Sequence, residues 1–200
     1  MARRSDHTRE ELTELALSSA EELLNRKPAS ALSTRQIATK MGYTVGTLYQ
    51  IFKNLPDLLL HVNARTLKRL YDDCLKLDTD QHSAEQNILA YAGLYLEFAH
   101  KHQGLWTLIF DSDVLGDEPL PDWYLVQVNS LFSLVEAELK RIKPDCSEQE
   151  ITRTSRVLWS SVHGICTLSI NDNLFVTSAG STEELIASLV SNFLKGWTHQ

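Results

Sequence analysis

The sequence predicts an all-α protein of about nine helices, arranged as a small N-terminal head and a larger helical body. Three observations carry that expectation. Apolar residues recur at spacings of three and four along most of the chain, no run of alternating β-branched residues interrupts them, and Gly and Pro fall where helices should stop. Hydrophobic residues make up 43% of the 200, enough to bury a real core in an ordinary globular protein.

Thr8 and Glu11 stand at capping-box spacing, and Leu12, Leu15, Ala16, Ser19, Ala20, Leu23 and Leu24 then form one stripe. This predicts a first helix ending near Asn25, before Pro28. Ser33 and Gln36 repeat the capping-box spacing ahead of Ile37, Ala38 and Met41, and Gly42 closes that short helix. Thr44 is the expected cap of a third short helix through Phe52. Asn54 is the expected cap of a fourth, with Pro56 in its first turn, where a missing N–H costs little.

The fourth helix is expected to run from Leu55 to about Leu77, the fifth from about Ser83 to His102, and a short sixth from Gly104. Residues 111–122 combine Gly, Pro and five acids and read as a loop. Long helices are expected to resume at roughly Pro121–Lys143, Glu148–Asn171 and Thr182–Trp197. No internal repeat or low-complexity tract appears.

Charge is divided unevenly. The formal net charge is -7, yet residues 1–60 carry eight Lys/Arg against seven Asp/Glu, so the acidity belongs to the rest of the chain. A near-neutral head on an acidic body is compatible with a nucleic-acid-facing end. No apolar run approaches the roughly 18 residues of a membrane span, and MARRSDHTREEL lacks a signal peptide's apolar stretch, so a cytoplasmic protein with no membrane partner is expected. Cys74, Cys146 and Cys166 are far apart with no CxxC pair, which argues for reduced core thiols. His100 and His102 are two apart and would point apart on a helix, so no metal and no cofactor is expected.

The two short helices 33–41 and 44–52, joined by Gly42 and Tyr43, have the lengths and turn chemistry of a helix-turn-helix. In that geometry the second helix offers its N-terminal residues to base edges in the major groove. The stretch STRQIATKMGYTVGTLYQIFKNLPDLL, Ser33 to Leu59, resembles the head of the tetracycline-repressor-type (TetR) transcriptional regulators. The matching positions are Gly42, Thr47, Leu48, Tyr49, Phe52, Lys53 and Asn54; the pattern departs at Leu55, where the family commonly has a second lysine.

The resemblance implies a DNA-binding domain, residues 1–54, and an effector-binding and dimerisation domain, residues 55–200. Thr34, Arg35, Thr47, Tyr49 and Lys53 are the types of side chain that hold phosphate oxygens, whereas Val45, Gly46 and Gln50 are the candidates for base edges. Arg3, Arg4 and Arg35 are candidates to replace the contact that Leu55 does not make. Leu48 and Phe52 are expected in the core.

In the body, VLWSSVHGICTLSI fits a Trp-x-x-x-His-Gly signature of one subclass, placing Trp159 and His163 on one helix face, with Gly164 allowing close helix approach. Packed core remains the alternative for that pair. Tyr91, Tyr95, Phe98, Trp106, Phe110, Trp123, Phe132, Trp159 and His163 are the candidate wall of a small-molecule effector pocket, core packing again being the alternative for each. The apolar stripes of the last two helices, with Leu158, Val162 and Ile165 on one and Leu185, Leu189 and Phe193 on the other, suit a homodimer interface.

The resemblance therefore implies a dimeric repressor released from a palindromic double-stranded operator by a small apolar or amphipathic ligand. A ligand sensor or adaptor on the same fold with little DNA binding is the alternative. An enzyme is not expected: no nucleophile–base pair, metal cluster or phosphate loop is found, and Glu97 with His100 is a spacing that chance supplies on many helix faces.

Overall fold

The computed structural model describes residues 7–26, 28–111, 119–171 and 180–199. Among these residues there are nine α-helices and no strand, so the chain is all-α as expected. They are α1 Arg9–Leu24, α2 Thr34–Met41, α3 Val45–Tyr49, α4 Leu55–Cys74, α5 Ala84–Lys101, α6 Gln103–Leu108, α7 Asp122–Ile142, α8 Glu148–Ile170 and α9 Thr182–Thr198. A single 3-10 turn, Ala29–Ala31, links α1 to α2. Most of the expected acidic loop, residues 112–118, and both Arg3 and Arg4 lie outside the described residues.

The boundaries follow from local chemistry. Thr8 and Glu11 form a reciprocal capping box at α1, Ser33 and Gln36 another at α2, and Ser181 and Glu184 a third at α9. Gly42 ends α2 with φ 74°, the left-handed conformation that a Cβ disfavours. Asn54 accepts the Asp57 N–H at 2.8 Å to start α4. Thr44 occupies the cap position of α3, but its side chain makes no cap bond, and α3 is five residues long rather than running to Phe52.

Contacts divide the chain into two compact units. The first comprises Met1–Thr66 and His102–Tyr124. Its core joins Ala16, Ala20 and Leu24 of α1, Ile37 of α2, Leu48 of α3, Leu58 and Val62 of α4, and Leu105 and Leu108 of α6. Leu48 and Phe52 are both buried here, as the periodicity predicts. Arg65 ties α4 to α1 through Glu14 at 2.7 Å and Glu21 at 3.0 Å. Asn63 is fully buried and donates from Nδ2 to the Leu108 carbonyl at 3.1 Å, which fixes the end of α6 against α4. Gly104 leaves the backbone of α6 so close to α1 that a Cβ there would run into the Leu24 carbonyl oxygen.

The second unit comprises Leu67–Lys101 and Leu125–Gln200. Here α9 packs on α5 and α8, and α5 packs on α8. Ile88, Leu96, Leu139, Ile151, Leu158, Cys166, Ile186 and Val190 are buried. Cys74, Cys146 and Cys166 are all free buried thiols; burial pushes Cys74 and Cys166 up to about 12, so neither is a ready thiolate.

Candidate nucleic-acid interface

The helix-turn-helix is assembled from α2, the Gly42 turn and α3. Helix α2 buries Ile37, Ala38 and Met41 against the head core, and the turn is closed by the Tyr43 N–H bonding to the Ala38 carbonyl at 2.9 Å. Helix α3 buries Leu48, which sets its rotation. That rotation leaves Gly46, Tyr49 and Gln50 exposed and Val45 half-buried. Tyr49 is 55% exposed. Lys53 and Arg35 are exposed, and Thr34 is half-buried at the first position of α2.

Two positions differ in placement from what the sequence suggested. Thr47 is buried, and its hydroxyl stands 3.2 Å from that of Thr44, within the fold. Gln50 is the C-cap of α3, one turn past the start where Val45 and Gly46 lie. Leu55, where the expected second lysine is missing, is half-buried and packs on the head core.

Behind Lys53 lies a polar arrangement that sequence reasoning missed. Its backbone N–H donates to Asp57 Oδ2 at 2.8 Å, and Asp57 Oδ1 faces His61 Nε2 at 3.9 Å. The i, i+4 spacing of Asp57 and His61 was a readable signal for this pair.

The body candidates fall in both units. Trp106, Phe110 and Trp123 belong to the first: Trp106 is buried with its ring edge-on to Phe110 at 5.3 Å, and Trp123 stacks on His61 at 4.5 Å. Tyr91, Tyr95, Phe98, Phe132, Trp159 and His163 belong to the second. There the Tyr95 hydroxyl meets His163 Nδ1 at 2.8 Å, Thr167 Oγ1 lies 3.3 Å from Nε2, and Trp159 stacks on the imidazole at 5.2 Å. Burial holds His163 below the ordinary histidine range, which favours the neutral ring. Phe132 packs edge-on to Trp159 and carries the Arg156 guanidinium 3.4 Å over its face, while Arg156 bonds Glu136 at 2.8 Å. Phe98 is buried and Tyr91 half-buried.

Of the stripe on the last two helices, Leu158 and Val162 are buried in the chain's own core. Ile165, Leu185, Leu189 and Phe193 are half-buried, and Val157 and Leu168 beside them are 48% and 45% exposed. A Cβ at Gly164 would meet nothing within 4 Å, so within this chain the glycine serves no close approach. Among the described residues, no helix is long and apolar enough to cross a membrane.

Comparison with known proteins agrees with this geometry. Residues 16–62 match the description "Bacterial regulatory proteins, tetR family", and residues 88–193 match "Tetracyclin repressor-like, C-terminal domain". The chain is 24% identical over 170 residues to an uncharacterized HTH-type transcriptional regulator of Mycobacterium tuberculosis, covering 85% of this chain and 73% of that protein. A solved protein of unknown function from Rhodococcus sp. RHA1 has the same fold, with a TM-score of 0.76 at 21% identity over 98% of each chain. The transcriptional regulator FadR of Bacillus subtilis, solved with stearoyl-CoA, has a TM-score of 0.69 at 13% identity over 92% of this chain and 98% of its own.

Proposed function

Because the chain belongs to the TetR family of bacterial transcriptional regulators, we propose that it is a cytoplasmic homodimeric repressor that leaves a palindromic operator when a small apolar or amphipathic ligand binds. The observation that carries this reading is the exposed row Tyr49, Gln50 and Lys53 next to the buried Leu48. The tyrosine hydroxyl with a lysine suits two phosphate oxygens. Val45, Gly46 and Gln50 are left for base edges, and Thr34 and Arg35 for the flanking backbone. Thr47, with its hydroxyl turned to Thr44, acts through the shape of the turn. The proposed boundary after Asn54 separates the groups that meet DNA from those that answer to ligand and partner.

In the body the proposed effector wall is built around the contacting Tyr95, Phe132, Trp159 and His163, apolar rings with a few convergent polar atoms, with Tyr91 and Phe98 on the same helix as Tyr95. An amphipathic ligand fits that mixture, and a fold neighbour's complex with stearoyl-CoA supports the same class. The homodimer is proposed to bury Val157, Ile165 and Leu168 of α8 with Leu185, Leu189 and Phe193 of α9.

The test is binding of the purified protein to a duplex from immediately upstream of its own coding sequence, titrated with salt. Affinity should fall steeply as salt rises, and Tyr49→Phe and Lys53→Ala should each weaken binding, Lys53→Ala lowering the salt slope by about one. Absent or salt-independent binding would leave the sensor or adaptor reading instead.

A further inference from the structure

We infer that His61 is a positioning residue for the DNA-backbone contact of Lys53, and that Trp123 holds the His61 ring in place for that task. The inference rests on the reading of Lys53 as a phosphate ligand. His61 lies beside two groups that border Lys53, Phe52 and Asp57, without being the group that meets DNA. On one side its ring lies 5.5 Å from that of Phe52, the residue before Lys53, and Phe52 is anchored in the head core. On the other side its Nε2 faces Asp57 Oδ1 at 3.9 Å, while the second oxygen of the same carboxylate accepts the Lys53 N–H at 2.8 Å. Asp57 is itself fixed, because its own N–H donates to Asn54 Oδ1 at 2.8 Å.

Trp123 stacks on the imidazole, with centroids 4.5 Å apart and planes within 7° of parallel. That stack comes from a segment 62 residues away in sequence, yet inside the same compact unit. A long lysine loses its rotational freedom when it grips a phosphate. A backbone held at a fixed place lowers the remaining cost of aiming it, which is how supporting side chains sharpen a binding contact. The arrangement also gives Trp123 a purpose distinct from lining an effector cavity.

A double-mutant cycle on the full chain tests this, with the duplex from upstream of its own coding sequence as the probe. His61→Phe keeps a ring against Trp123 and loses the nitrogen that faces Asp57. It should weaken DNA binding by about three- to tenfold, with a lower salt slope, when Lys53 is present, and cause no further loss in Lys53→Ala. Trp123→Ala should repeat the Lys53-dependent loss, and that variant decides the matter if His61→Phe does not fold. An equal loss in both backgrounds, or no loss with Lys53 present, overturns the inference while leaving Lys53 a phosphate ligand. A Lys53→Ala variant with native affinity and salt slope removes the Lys53 reading itself, and this inference with it.

Discussion

His163 illustrates how one side chain couples packing to pH. Its two nitrogens face the hydroxyls of Tyr95 and Thr167, groups that can each donate or accept, so a neutral ring is satisfied on both sides. Burial lowers its pKa, so the unfolded chain takes up a proton more readily than the folded one. Stability is therefore fully present above the ordinary histidine pKa of roughly 6.5 and falls as pH drops below it. Urea unfolding measured between pH 8 and 5 should show that decline, and His163→Gln should flatten it. An identical decline in the variant would assign the effect to other groups. Single residues also mark where local reading stops: Leu55 reads as a missing cation, but in the fold it adds an apolar side chain to the head core.

At the scale of elements, the contact between α6 and α1 is the least tolerant. Adding one methyl at Gly104 drives it into the Leu24 carbonyl, which is backbone and has no rotamer through which to escape. Gly104→Ala should cost about 1–3 kcal/mol of stability, read as a lower urea midpoint with an unchanged slope. Helix starts were legible because Thr8 with Glu11 and Ser33 with Gln36 are local signals, and Gly42 announces its own turn. The end of α3 was not legible. Nothing between Tyr49 and Phe52 breaks a helix by composition, and the Phe52 N–H still bonds the Leu48 carbonyl at 2.8 Å beyond the last residue of α3. Periodicity likewise placed Trp106 and Trp123 on helices or near their ends but held no information about which unit each would join. The exposure of Tyr49, Gln50 and Lys53 was the most accessible part of the candidate site, since their types and spacing are both local. The Phe52–His61–Trp123 packing was the least accessible, because it joins distant segments.

For the whole molecule, the half-buried rows on α8 and α9 are the feature with the largest consequence. Val157 and Leu168 are exposed where the sequence stripe pointed to Leu158 and Val162, which the chain already uses for its own core. Val157 stands one residue from Leu158, about 100° around the helix, which is the difference between the face turned inward and the face beside it. Leu189→Glu should place a charge in the proposed dimer seam and weaken self-association by roughly a hundredfold or more, since an unpaired buried carboxylate costs several kcal/mol. Sedimentation velocity over a range of concentrations would detect the shift to monomer; an unchanged dimer would move the interface elsewhere.

The head's discontinuity along the chain also imposes an order in time. Leu105 and Leu108 complete a core whose other members lie before Thr66, and Leu67–Lys101 must be synthesised between the two pieces. At about 5–20 residues per second, those 35 residues take the ribosome roughly two to seven seconds. During that interval α1, α2, α3 and the start of α4 have been made, while Leu105 and Leu108 have not.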